Sequence, residues 1–385
     1  MAAETFAIQV PDAVLGELAH RLDATRWPDE VQNAGWELGS NLAYMRSLSD
    51  YWRHRYDWRR EEAVLNRLPQ FRMVLEGFGI HFVHVRGKGP APLPLIVTHG
   101  WPGSFVEMLK LIPLLTDPAA HGGTVEDAFD VVVPSLPGYG FSDRPRERGM
   151  DPKKIAALWV RLMQELGYRR FGAQGGDWGS AVSIALGLEH AERMIAIHLN
   201  YIAGRFLLGG RLNVQPEDEI ARAYLGELRA WWDAEGGYSH EQATKPQTLS
   251  YGLNDSPVGL AAWIIEKFRT WSDCAGDVES IFTRDELLTN IMMYWVTETA
   301  PSSARLYYES SQQPLSLSPS NRVEPPVGVA VFPKEIAMPP QALAERGLNI
   351  VRWTVMPRGG HFAAMEQPEL LAKDLREFFR PLRRT

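Results

Sequence analysis

The sequence predicts an α/β fold: a mostly parallel central sheet with helices on both faces, a helical N-terminal region and an inserted helical cap. Three observations predict it. From about residue 80 short apolar segments of strand character alternate with segments of helical spacing. Between about 203 and 320 the alternation gives way to helix-like stretches rich in Trp and Tyr, and after Pro325-Pro326 it resumes. Alternation of this kind implies right-handed βαβ units. An insertion between two strands of a parallel sheet lies beside their carboxyl ends, where such folds bind ligands, so it is expected to cover a pocket.

The first 75 residues read as a helical and aromatic meander. One face carries Val14, Leu15, Leu18 and Leu22, and a second carries Leu42, Met45, Leu48, Trp52 and Tyr56. Trp27, Trp36, Trp52 and Trp58 are read as packing surface, because an indole buries so much area. After a turn at Gly77–Gly79, Ile80–Val85 is extended and Leu93–Thr98 is a strand that enters a Gly-Pro loop. A helix (104–116), strand (130–136), helix (151–166), strand (170–175), helix (178–188) and strand (193–199) follow. Val327–Phe332, Ile350–Val355 and a helix from Pro368 complete the sheet. The expected organisation is therefore a meander over 1–75, core over 76–202, cap over 203–324 and core again over 325–385.

Composition narrows the function classes. With 45% hydrophobic and 23% charged residues, the 385-residue chain has ample core material and no signature of disorder. The net charge of -7, without a block of like charges, excludes the electrostatic footprint of a nucleic-acid or acidic-membrane binder. Cys274 is the only cysteine, which excludes an intrachain disulfide and a multi-cysteine zinc site and suits a reducing cytoplasm. The N-terminus lacks a signal-peptide pattern, and no run of 18 apolar residues occurs, so no membrane association is expected. A small-molecule substrate is the expected partner, and a homodimer is compatible with these features.

Three motifs carry the chemistry. Gly175-Gly176-Asp177-Trp178-Gly179-Ser180, between a strand and a helix, has the small-x-nucleophile-x-small pattern of a nucleophile elbow. Aspartate fills the nucleophile slot. A carboxylate can attack a saturated carbon that bears a leaving group, an epoxide oxygen or a halide, and form an alkyl ester; the competing structural role is a helix N-cap. His99-Gly100-Trp101-Pro102-Gly103-Ser104 follows the strand Leu93–Thr98. In α/β-hydrolases one oxyanion-hole N–H comes from this loop and one from the residue after the nucleophile, here Trp101 and Trp178. The Trp101–Pro102 bond is a candidate for the cis isomer, and His99 is read as a brace of the loop.

The third motif, Arg358-Gly359-Gly360-His361-Phe362, lies just past the last strand. An unperturbed pKa near 6.5 would leave His361 mostly neutral and able to act as a general base. Glu335, in the loop after Val327–Phe332, is the acid expected to orient it; Glu366 and Asp374 are weaker candidates because they fall at the start of and inside the last helix. A halide-releasing dehalogenase shares the elbow aspartate, a serine esterase is disfavoured because Ser180 lies outside the nucleophile slot, and a non-catalytic binding protein would not need all three of Asp177, Glu335 and His361.

With these motifs in hand the chain resembles the epoxide hydrolases of the microsomal and juvenile-hormone type, including bacterial relatives, within the α/β-hydrolase superfamily. The resemblance covers nearly the whole length. It rests on the aromatic meander, the 99–104 loop, Leu136-Pro137-Gly138-Tyr139-Gly140-Phe141-Ser142, the Asp177 elbow, Asn254-Asp255-Ser256-Pro257-Val258-Gly259-Leu260 and the His361 segment. It implies hydrolysis of an epoxide to a vicinal diol with no cofactor and no metal. It also implies two cap tyrosines that bind the epoxide oxygen, matching Tyr238 in Glu235-Gly236-Gly237-Tyr238 and Tyr307 in Ser302–Glu309, with Tyr308 adjacent. Vertebrate microsomal members carry a membrane anchor ahead of the meander; this chain starts at the meander and is expected to be soluble. The 13 Trp and 12 Tyr point to an apolar, aromatic-tolerant epoxide.

Overall fold

Runs such as Leu95–Val97 and Val131–Val133 are buried on both sides, as strands covered by helices on both faces require. In the computed structural model, which describes residues 3–208 and 219–384, these runs form the centre of one sheet. Its strands are β1 (Glu4–Phe6), β2 (Gln70–Leu75), β3 (Phe78–Val85), β4 (Leu93–Thr98), β5 (Phe129–Pro134), β6 (Phe171–Gly175), β7 (Met194–Leu199), β8 (Val323–Val331) and β9 (Leu348–Val355), in the order β1-β2-β3-β5-β4-β6-β7-β8-β9. From β5 to β9 the neighbours are parallel; β1, β2 and β3 add an antiparallel edge.

The edge departs from the sequence reading, which gave 1–75 to helices. Helices do form at Asp12–Asp23, Leu42–His54 and Trp58–Leu65, but Gln70–Leu75 pairs with Phe78–Val85 as a hairpin. Its two-residue turn is Glu76-Gly77, with φ of 51° and 82°, so it lies one residue ahead of the expected position. Positive φ at both turn residues matches the twist of the flanking strands. The helix expected over 104–116 is also broken, into a 3-10 turn Phe105–Met108 and a helix Leu111–Thr116. Pro113 explains the restart: it has no N–H to give and fits only a first helical turn. Pro325-Pro326 does not precede β8 but interrupts it, with a register shift between Val323 and Val327 where prolines cannot donate to the ladder.

The meander braces the inserted helices. Tyr51 donates to Asp285 at 2.9 Å, Tyr56 bonds Thr289 at 3.0 Å, and Arg21 pairs with Asp255 at 2.6 Å. Trp52 and Trp58 are buried, as their reading as packing surface requires, whereas Trp27 and Trp36 are half-buried beneath Arg46 and Arg269. The inserted segment contains helices Glu219–Glu235, Gly237–Thr244, Pro246–Asp255, Pro257–Trp271, Arg284–Thr297 and Ala300–Gln312. It stands at the sheet edge where the carboxyl ends of β4, β6, β8 and β9 converge; β4, β6 and β9 lead into the three sequence motifs and β8 into the Glu335 loop.

Candidate active site

Adjacent parallel strands bring the first two motifs together: Thr98 at the end of β4 pairs with Gly175 at the end of β6. The chain then turns sharply into the helix Asp177–Glu189. Asp177 adopts φ of +45°, a left-handed conformation uncommon outside glycine. The turn is possible because its neighbours are bare: a Cβ at Gly175 would sit 2.1 Å from the Gly179 carbonyl oxygen, and one at Gly179 would sit 1.9 Å from that of Thr98. Asp177 does not cap its own helix; the cap position is Gly176. Instead Asp177 Oδ1 accepts the Trp101 N–H at 2.7 Å, which removes the N-cap alternative.

The Trp101–Pro102 peptide is cis. His99 lies behind the loop, its Nδ1 against the Gly100 carbonyl at 3.0 Å and its Nε2 accepting the Leu136 N–H at 3.1 Å. Those partners fix the tautomer with the proton on Nδ1, and burial pushes its pKa down to about 4, so it braces the loop as a neutral ring. Among the described residues, Trp101 is the backbone donor to Asp177; the Trp178 N–H lies in the first turn of the helix.

His361 arrives from the loop after β9. Its Nδ1 bonds Glu335 Oε1 at 2.5 Å and its Nε2 stands 3.5 Å from Asp177 Oδ2. Glu335 reaches it from the loop after β8 and is itself steadied by the Ile336 N–H at 2.7 Å. The His361 side chain is 2% exposed and that of Glu335 fully enclosed. Burial works against a charged imidazole, but the Glu335 charge and then Asp177 outweigh it and hold the His361 pKa well above the ordinary value. The two carboxylates thus favour the imidazolium in the resting site over the mostly neutral ring that an unperturbed pKa would give.

The weaker acid candidates lie apart from the imidazole. Glu366 accepts the N–H groups of Asp273, Gly360 and Phe362 at 2.8 to 3.0 Å and so ties down the histidine loop. Asp374 pairs with His198 at 3.0 Å and Arg352 at 2.6 Å in a separate buried cluster.

The cap supplies the opposite wall. Tyr238 stacks on Trp101 with ring centres 5.2 Å apart and planes 8° from parallel. Tyr307 stands edge-on to Trp178 at 4.8 Å and to Trp101 at 5.8 Å. Tyr308, one step round the helix, lies under Arg148 and lines a different, outer hollow. Burial first, with the Asp177 charge adding to it, raises the pKa of both Tyr307 and Tyr238, so both phenols keep their protons. Asp177, Tyr238 and Tyr307 thus line one chamber, and His361 lies on the other side of the carboxylate. Surface clefts of 730 and 750 Å³ are far larger than this narrow aromatic chamber, but neither contains Asp177, although the second borders the chamber at Tyr238.

Three neighbours escaped the sequence reading. Trp271 packs against His361 at 5.2 Å and accepts its backbone N–H at 2.9 Å. Tyr201 sits edge-on to the same imidazole at 5.6 Å. Lys267 is buried with its ammonium 4.9 Å from the Tyr238 ring centre. No motif marks them: Trp271 and Lys267 are brought in by packing of the cap, and Tyr201 stands just past the carboxyl end of β7.

Residues 3–108 match the family described as epoxide hydrolase N terminus, and residues 94–235 match that described as alpha/beta hydrolase fold. A Stigmatella aurantiaca protein bearing the name "Putative epoxide hydrolase" is 49% identical over 98% of this chain and 85% of its own length. Epoxide hydrolase 1 of Oryctolagus cuniculus is 39% identical over 97% of this chain and 88% of its own. The crystal structure of juvenile hormone epoxide hydrolase from the silkworm Bombyx mori superposes with a TM-score of 0.86 at 31% identity, covering 100% of this chain and 94% of the other.

Proposed function

Because this chain belongs to the epoxide hydrolases and is an epoxide hydrolase in activity, we propose that it acts in two steps through a covalent ester on Asp177. Oδ2, the oxygen that Trp101 leaves free, attacks an oxirane carbon in line with the breaking C–O bond. Tyr238 and Tyr307 hydrogen-bond the departing oxygen, and one of them gives it a proton, leaving a hydroxyalkyl ester and a phenolate. Positioning alone contributes heavily here, since a bound, aligned nucleophile can reach effective molarities of about 10⁵ M or more.

Esterification cancels the Asp177 charge, one of the two that hold a proton on His361. The imidazole can then release its Nε2 proton to solvent and act as a base toward water. Water attacks Cγ of the ester while giving a proton to Nε2, and the Trp101 and Trp178 N–H groups receive the charge that develops on Oδ1. Collapse expels the diol oxygen, which takes the proton from His361; the acid left on Asp177 ionises and its proton restores the tyrosine, and His361 recovers from solvent the proton it released. Glu335 keeps the imidazole oriented throughout.

The observation that carries this reading is the arrangement around one carboxylate, with phenol donors on one side and His361–Glu335 on the other. A Ser-type elbow or a halide-releasing site has no use for the paired phenols. In the His361→Gln variant the first step survives and the second does not, so incubation with styrene oxide is expected to raise the intact protein mass by that of one epoxide. An unchanged mass alongside continued diol formation would contradict the ester. The substrate class proposed is apolar epoxides, including aromatic ones, matching the indole and phenol walls; no helix among the described residues is long and apolar enough to cross a membrane.

A further inference from the structure

Behind Asp177, on the side away from the tyrosines, lies a second and separate hollow. Its walls include Glu107, Gln174, Asn200, Gly176 and His361, and Asp177 is the only residue that it shares with the tyrosine-lined chamber. The space open to the centre of a water molecule is about 20 Å³, enough for one water and little else. A two-step mechanism needs this division: the epoxide must approach Asp177 from one side and the water that cleaves the ester from another.

Two buried polar side chains face it, and one of them has an oxygen without a partner. Gln174 is 1% exposed; its Nε2 donates to Asn200 Oδ1 at 2.8 Å, while its Oε1 is buried without a partner. An unpaired buried carbonyl oxygen is costly unless something fills its place. Glu107 is also buried, on the 3-10 turn that follows the oxyanion loop. Its carboxyl group occupies the space that a side chain at residue 103 would take, with Oε1 1.6 Å from where a Cβ on Gly103 would lie. The N–H groups of Gly100 and Ser104 bond to it. The loop is thus left bare at Gly103 to admit a carboxyl group from the next turn.

We infer that Glu107 and Gln174 hold the hydrolytic water in this rear chamber; the inference rests on the ester reading above. A water there can make four contacts. One proton faces His361 Nε2 and the other faces Gln174 Oε1. One lone pair accepts the O–H of a protonated Glu107, and the last is left aimed at Cγ of Asp177. Glu107 is equipped for the donor role because burial pushes its carboxyl up to about 8; the charge of Asp177 adds to that rise and His361 opposes it.

The test is a single turnover with excess enzyme and styrene oxide, quenched at intervals and read by intact-protein mass, which gives the rates of ester formation and ester loss separately. In Glu107→Met the ester should form within about 2-fold of the wild-type rate and disappear at least about 10-fold more slowly, the loss of one hydrogen bond to a reacting group. Glu107→Gln keeps a donor and should restore ester loss to within about 3-fold of wild type on the same scale. Gln174→Met, which removes the acceptor together with the Nε2 bond to Asn200, should slow the same step and serves if Glu107→Met does not fold. Ester loss at the wild-type rate in folded Glu107→Met or Gln174→Met, or formation and loss slowed alike, would overturn the water site. Absence of any ester in the wild type and all variants would instead overturn the reading on which it rests.

Discussion

The backbone N–H of Trp101 holds Oδ1 of Asp177 at 2.7 Å, so the two carboxylate oxygens are not equivalent. In the ester mechanism proposed above, Oδ1 already sits where negative charge would later be stabilised, and Oδ2, 3.5 Å from His361 Nε2, would be the oxygen that attacks. On that proposal little has to move between the two steps.

Asp177→Asn retains the shape of the elbow and the bond from Trp101 but has no anionic oxygen to attack. Diol formation is expected to fall by on the order of 10³-fold or more while the circular dichroism spectrum stays that of the wild type. Turnover near the wild-type level would remove Asp177 from its role.

The phenols are expected to share their load. Tyr238→Phe and Tyr307→Phe should each lower kcat/KM by roughly 10- to 100-fold, and the double variant should lose activity far beyond either, since the leaving alkoxide then has no donor. Tyr308→Phe should be silent, because Tyr308 lies under Arg148 outside the chamber. Steady-state kinetics on the four variants checks the set; a strong effect at Tyr308 would reassign the second donor.

A pH profile tests the imidazole. Hydrolysis of the ester requires neutral His361, so kcat should rise with pH through a His361 pKa that the Glu335 charge holds above the ordinary value. In Glu335→Gln that charge is gone. The acid limb should move to lower pH and the plateau should fall, the imidazole being both less basic and less well oriented. An acid limb that stays in place would show that another group titrates there.

The buried Asp374 cluster makes a prediction about stability instead. Burial would raise its pKa, but hydrogen bonds and charge from His198, with Arg352, outweigh that and hold it near 2 against an ordinary 3.8. A carboxyl depressed in the folded state contributes stability above its unfolded pKa and loses it as pH falls toward the folded value. The contribution is about 2 kcal/mol at neutral pH. The melting-temperature gap between wild type and Asp374→Asn should be largest at neutral pH and close between pH 4 and pH 2; a gap independent of pH would contradict it.

The sequence made the chemistry more legible than its surroundings. Asp177, Trp101 and His361 each sit in a glycine-flanked loop at a strand end, and the glycines are there because backbone must approach backbone, so the motif is a record of the geometry. The strand Gln70–Leu75 was hidden because a single short alternating run carries little periodicity, although Glu76-Gly77 between two such runs is a hairpin signal. Tyr307 could not be separated from Tyr308, since neighbours on a helix differ only in the direction that packing imposes. Glu107 was silent for a related reason: on a 3-10 turn its burial comes from the fold over it, and no local pattern announces a buried carboxyl group. The charge on His361 was misjudged because it depends on two carboxylates 26 and 184 residues away in the chain.

The source of the oxygen in the first diol is the most direct test of the account. One turnover in water enriched in oxygen-18, with enzyme in excess, should give a diol whose new oxygen is unlabelled, having come from Asp177, and should leave the label in the peptide that contains residue 177. A first-turnover diol carrying oxygen-18, with that peptide unlabelled, would show that water attacks the epoxide directly and would contradict the ester mechanism.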